Sequence, residues 1–157
     1  MYLRVDGRPV ILVYDDSTTT PQGCDMAQRW VDARNAAPGN FYLDLKVFPS
    51  YTTCTAQPDD WHQYAPANAT DEQGTHAYTI SPGFWKYGET PPRLTRDPTR
   101  WAHDVAQMRA WNADFELVTT FDEWGEGTAV ESASEWASAS GRETYLDALH
   151  ASLFENQ

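Results

Sequence analysis

Four carboxylates, Asp122, Glu123, Glu126 and Glu131, fall within ten residues of the stretch LVTTFDEWGEGTAVE, 117–131. Two of them, Glu123 and Glu126, lie three apart, with Gly125 between them and Gly127 just after. Two carboxyl groups can share acid–base work when their pKa values are pushed apart, so that one holds a proton while the other accepts one. Like charges this close supply such a split, because ionising one carboxyl raises the pKa of the other. On an extended strand, residues three apart point to opposite faces. A helix-like bend brings them to the same side. The glycines permit that bend, so Glu123 and Glu126 are expected to converge on one pocket. Two blander uses of the same residues are a solvated strand end and an oxygen-rich Ca²⁺ site. No EF-hand spacing is present, and no metal or other cofactor is expected.

A strand has to deliver such a turn. ELVTTF, 116–121, is rich in β-formers and ends where the carboxylates begin. Three other strands are expected at Pro9 to Tyr14, Phe41 to Phe48 and in HAYTIS, 76–81. A helix follows from about Asp25 and is stopped by Pro38-Gly39. A second helix starts with Asp97 as cap and Pro98 in its first turn. A third is expected after Ser140 and Glu143, read as a capping box, with Leu146, Leu149 and Leu153 as its apolar stripe. The segment from Pro49 to Thr75 reads as a long packed loop, with at most one short helix near Asp59 to Gln63. The order is β-α-β-loop-β-α-β-α, with no linker or second domain. Strands alternating with helices imply an α/β fold with a parallel sheet, either doubly wound or part of a (β/α)₈ barrel.

The unusual residues fall just past strand ends, where both architectures bind ligands. Tyr14 and Asp15 leave the first strand. Phe84 and Trp85 follow the third and could form a platform for a sugar ring. Glu123 and Trp124 follow the fourth. In Trp61-His62-Gln63-Tyr64, His62 and Tyr64 are candidates for contact with a sugar hydroxyl or ring, or for packing. No Gly-rich phosphate loop and no G-x-S-x-G elbow is present.

Composition narrows the partners. The 157 residues carry a net charge of −12, which argues against a nucleic-acid backbone or an anionic membrane surface. No apolar run is long enough to span a bilayer. Aromatics make up 13% of the chain, with seven Trp and eight Tyr; most are expected to fill a core, and some to line a site for a ring-shaped ligand such as a sugar. Cys24 and Cys54 are the whole thiol inventory, and either a disulfide or two buried thiols fits them.

TTFDEWGEGTAVE resembles the signature of glycoside hydrolase family 99 and its endo-α-mannosidase-like relatives, similar to Phe-Asn-Glu-Trp-His-Glu-Gly-Thr-x-Ile-Glu. YLRVDGRPVILVYDD and TISPGFW also look like strands of those proteins. The resemblance implies that residues 1–157 are the C-terminal half of a (β/α)₈ barrel, strands five to eight, with the first four absent. It implies retaining cleavage of an α-linked, mannoside-type sugar without a cofactor. Glu123 would take the proton of the sugar 2-hydroxyl, and Glu126 would be the general acid with the higher pKa. Trp124, Tyr14, Asp15, His62, Tyr64, Phe84 and Trp85 would bind substrate. Asp122 and Gly125 depart from the pattern, which has Asn and His there. Partners expected on this view are a carbohydrate, the missing half-barrel or a second copy, since strands at 9–14 and 117–121 would have open outer edges. Export is expected from the resemblance and the composition.

Overall fold

The computed structural model describes residues 2–154, with side chains to 151. Among them are three α-helices and two mixed sheets, one a curled half-barrel. The chain divides into two compact units, Met1–Gln63 and Tyr64–Gln157.

The first unit holds strands β1 (Arg4–Val5) and β2 (Arg8–Val13), helix α1 (Thr20–Ala36), and strands β3 (Tyr42–Lys46) and β4 (Asp60–His62). β1 turns back antiparallel on β2 through Asp6-Gly7, both at positive φ, as a two-residue hairpin of this twist requires. β2, β3 and β4 are parallel, with Leu12, Asp44 and Asp60 in register. Alternation along the strands sends Val13, Leu43, Leu45 and Trp61 into a core with Met26 and Ala27 of α1. Tyr42, Asp44, Lys46, Asp60 and His62 take the opposite face. Phe48 lies so close over Gly23 that a Cβ there would sit 2.2 Å from its ring. Cys24 and Cys54 are bonded, with Cα atoms 5.4 Å apart, joining α1 to the segment after the 3₁₀ turn Tyr51–Thr53.

Asp59 ties three elements of this unit together. Its carboxylate accepts from Arg8 of β2 at 2.8 Å, Arg34 of α1 at 2.7 Å and the Leu43 amide of β3 at 2.9 Å. Burial alone would raise its pKa. The Leu43 amide and the two guanidiniums outweigh that and hold it below the ordinary carboxylate value. A depressed pKa contributes stability above the unfolded value, near 3.9, that is lost as pH falls through the folded one. Asp59→Asn is expected to cost about 2 kcal/mol near neutral pH, because two half-buried guanidiniums lose their counter-charge. Measured from pH 7 down to 3, the gap in urea midpoints between variant and wild type should begin to narrow once pH falls below about 4. A constant gap across that range would count against the assignment.

The second unit holds strands β5 (Thr70–Gln73) and β6 (Ala77–Ile80), helix α2 (Pro98–Trp111), strand β7 (Phe115–Val118) and helix α3 (Thr144–Phe154). β5 and β6 form an antiparallel hairpin, and β7 joins β6 in parallel through the α2 crossover. Tyr78, Ile80, Trp101, Val105, Met108, Val130 and Tyr145 make its core. α2 starts where the sequence places it: the Asp97 carboxylate accepts from the Thr99 and Arg100 amides at 2.8 and 3.1 Å.

The architecture corrects the expected α/β repeat. The strands are not parallel (β/α) units five to eight of a barrel. β3 passes to β4 with only a 3₁₀ turn between them, and the expected short helix at 59–63 is β4 itself. β5, expected as loop, reverses the chain into β6 and makes the second sheet mixed. The outer edge of the first long strand is covered only at its start, where β1 pairs with Arg8 and Pro9 and Val10 bonds the Leu3 carbonyl. β7 does end its sheet. α1 begins at Thr20, five residues before the expected start, with Pro21 in its first turn. The capping box does not form. Glu143 sits at φ +72°, and the Ser140 hydroxyl instead engages the Arg142 amide and Asp147. Leu146 and Leu149 pack on the core as the stripe requires. The side chain of Leu153 lies outside the described residues.

Candidate functional site

β7 stops at Val118, three residues before the expected end, and Thr119 extends the pairing with an amide bond to Ile80 at 3.0 Å. From there the chain closes a loop on itself. The Thr120 amide donates to Thr128, Val130 returns a bond to Thr120, and Glu131 bonds Phe121 at 2.8 Å. The Thr120 and Thr128 hydroxyls meet at 2.8 Å, and Thr120 Oγ1 also accepts from the Glu123 amide. Two small hydroxyl residues thus pin both ends of the acidic turn, while β7 fixes where it starts.

Within the loop the two glycines do different work. Gly127 sits at φ +66° and bonds the Trp124 carbonyl at 3.1 Å, closing a tight bend. Gly125 leaves room: a Cβ there would lie 2.9 Å from Glu123 Oε1. Glu123 is exposed and Glu126 half-buried.

Indole rings flank the turn. Trp85 donates its backbone amide to the Glu126 carbonyl at 2.8 Å and its indole N–H to the Glu89 carbonyl at 2.8 Å, leaving 40% of the residue exposed. Trp124 is 47% exposed, bonds Glu131 Oε2 at 2.8 Å and stacks on Trp136 at 5.3 Å with planes 9° apart. Both rings are held at one edge and remain partly exposed, and exposed aromatic surface of this kind is what a sugar ring can stack against.

The fold brings arginines that the local stretch lacks. Arg93 forms a fork with Glu89, which raises its pKa, and the Glu126 charge adds to that. Arg96 lies between the Trp136 and Tyr145 rings, 4.3 and 4.4 Å from their centroids, and donates to the carbonyls of Gly127 and Ala129. Burial pulls its pKa down. Arg96 therefore clamps the far side of the acidic turn to the ring against which Trp124 stacks. Arg96→Met is expected to lower stability by about 2 kcal/mol, from the lost charged hydrogen bonds and ring contacts. It should also speed exchange of the Thr128 and Val130 amides, with Arg96→Lys in between. Unchanged protection of these amides in hydrogen-exchange NMR would refute the clamp.

Other expected site residues divide between the units. In the second, Phe84 is not a platform: it is 5% exposed, paired with Leu94 and covered by Arg93. Tyr64 accepts a bond from Thr119 Oγ1 through its carbonyl at 2.7 Å. In the first unit, Tyr14 is exposed with Lys46 over its ring. Asp15 folds onto Ser17, whose hydroxyl and amide lower its pKa. His62 is buried, with Nδ1 2.8 Å from Asp44 Oδ1. The sequence reading missed Arg93, Arg96, Trp136 and the highly exposed Tyr87, which meets Trp85 edge to face. Arginines in a proline-rich loop carry no local signal for such roles. Trp136 has one, since it lies within reach of the acidic turn along the chain. Among the described residues, no group of three or more His, Cys, Asp or Glu could hold a metal ion. No family model, curated protein or solved structure matches this chain.

Proposed function

We propose that this chain is a glycoside hydrolase acting on an α-linked, mannoside-type carbohydrate, with Glu123 and Glu126 as its carboxylate pair. One observation carries the reading: a self-closed turn presents two carboxylates beside two edge-anchored, half-exposed indoles, Trp85 and Trp124. Glu123 accepts the 2-hydroxyl proton, so that this oxygen attacks the anomeric carbon. Glu126 protonates the leaving oxygen, and afterwards takes a proton from the water that opens the resulting 1,2-anhydro ring at the anomeric carbon, while Glu123 returns its proton to the 2-oxygen. Two inversions give net retention. Trp85 and Trp124 supply the ring contacts. The support comes from the signature resemblance and the turn itself, and a barrel is no part of it. The Cys24–Cys54 bridge fits an oxidising compartment, in keeping with export.

The exposure of Glu123 also suits a protein that binds carbohydrate without cleaving it. The test is incubation of the chain with α-linked mannooligosaccharides and chromatography of the products. Cleavage with retained anomeric configuration, absent from the Glu123→Gln/Glu126→Gln double variant, supports hydrolysis. Binding without products from wild type establishes the second reading, and neither binding nor products refutes both.

A further inference from the structure

Trp111 closes α2 on the far side of the core from the helix start, and 52% of it is exposed. Its ring is not loose. Nε1 donates to the Gly74 carbonyl in the β5–β6 turn at 2.8 Å, and the ring meets Tyr78 at 5.7 Å. Gln107, Ala110 and Trp111 stand at i, i+3 and i+4, on one helix face. Ala110 has almost no side chain, so a gap opens between the Gln107 amide and the indole. With Glu72 and Tyr78 from the hairpin, these residues line a cavity of about 270 Å³ in protein-free space.

The chemistry of this cavity is mixed in a specific way. Trp111 is a fixed flat wall, and buried Tyr78 is the floor. The Tyr78 hydroxyl lies against Thr70 and Glu72, and the Glu72 carboxylate accepts from Thr70 at 3.0 Å. Glu72 is exposed and retains acceptor sites, while the Gln107 amide has no partner among the described residues and offers both donor and acceptor. A flat apolar wall with a carboxylate and an amide at the rim matches a pyranose, whose C–H face stacks while its equatorial hydroxyls bond outward. A purely apolar ligand would leave Glu72 and Gln107 unused, and an anion would meet Glu72 and the −12 charge of the chain.

We infer that the groove between the C-terminal turn of α2 and the β5–β6 hairpin binds a single sugar ring on Trp111, separately from the acidic turn. No residue of this groove belongs to the proposed carboxylate site, so the two stand or fall independently.

The experiment is ¹H–¹⁵N NMR titration of the full chain with methyl α-D-mannopyranoside and, separately, methyl α-D-glucopyranoside. The Trp111 indole N–H is assigned by its loss in Trp111→Phe. That resonance is expected to shift with saturation in the millimolar range, as suits one small, exposed ring. Ala110→Leu fills the groove from an exposed helix position and should abolish the shift while leaving the rest of the spectrum in place. Glu123→Gln/Glu126→Gln should leave the shift intact. No shift with either sugar overturns the proposal, as does a shift that survives Ala110→Leu. A shift lost in the Glu123/Glu126 double variant would show that the effect comes from the carboxylate site, and overturns it too.

Discussion

Glu126→Gln is expected to reduce cleavage of an α-linked sugar with a poor leaving group by about 10²–10⁴-fold, the usual contribution of a positioned acid. The same variant should lose far less on an activated aryl glycoside, whose leaving oxygen needs little protonation. Glu123→Gln should lose both activities, because assistance to the attacking 2-hydroxyl is needed whatever departs. The contrast is read by comparing kcat/KM for the two substrates across wild type and the two variants. Both carboxylates sit on a surface turn fixed by backbone bonds, so Gln at either place should leave circular dichroism and thermal melting unaltered. Equal sensitivity of the two variants to leaving-group quality would sink the division of roles. Wild-type turnover in both would sink the catalytic reading itself.

Opening the Cys24–Cys54 bridge should cause a large loss of stability in the first unit. The bond spans 30 residues of sequence and encloses most of α1, the whole of β3 and the turn beyond. Releasing a loop of that length lowers stability by about 3.6 kcal/mol in the chain-entropy account. Reduction adds two hydrogens to the intact mass, and the thermal midpoint should fall by roughly 7–14 °C. Cys24→Ala/Cys54→Ala should behave like the reduced protein without any reductant present. A midpoint that ignores both treatments would mean that Phe48, Tyr51 and Trp61, which pack together beside the bridge, hold this region unaided.

What could be read from the chain beforehand depended on how local its cause was. The start of α2 was legible because Asp97 and Pro98 settle it within two residues. The strands at Val10 to Val13 and Leu43 to Leu45 were legible from their β-rich runs. β4 was misread because Asp60-Trp61-His62 has no β-rich run, and its strand geometry comes from pairing with β3. β5, Thr-Asp-Glu-Gln, is polar throughout and becomes a strand only because Gly74 at φ +61° turns it onto β6. Those two misreadings account for the wrong architecture. In the site, the turn and Trp124 were visible in one stretch, and Trp85 from its place after a strand. Arg96 was not, since its partners Gly127, Ala129, Trp136 and Tyr145 are more than thirty residues away along the chain.

The open space at Gly125 gives Glu123 a freedom that a bulkier turn would deny. Its carboxylate rests where a side chain at 125 would begin, and solvent lies on its other side. A side chain at that place would wall the space off and hold the neighbouring glutamate to fewer rotamers. In this chain the carboxylate can swing along the turn, at the entropic cost of being fixed each time a ligand arrives. Gly125→Ala should therefore act as a rotamer filter on Glu123. It narrows the positions its oxygens visit without touching a single hydrogen bond of the loop.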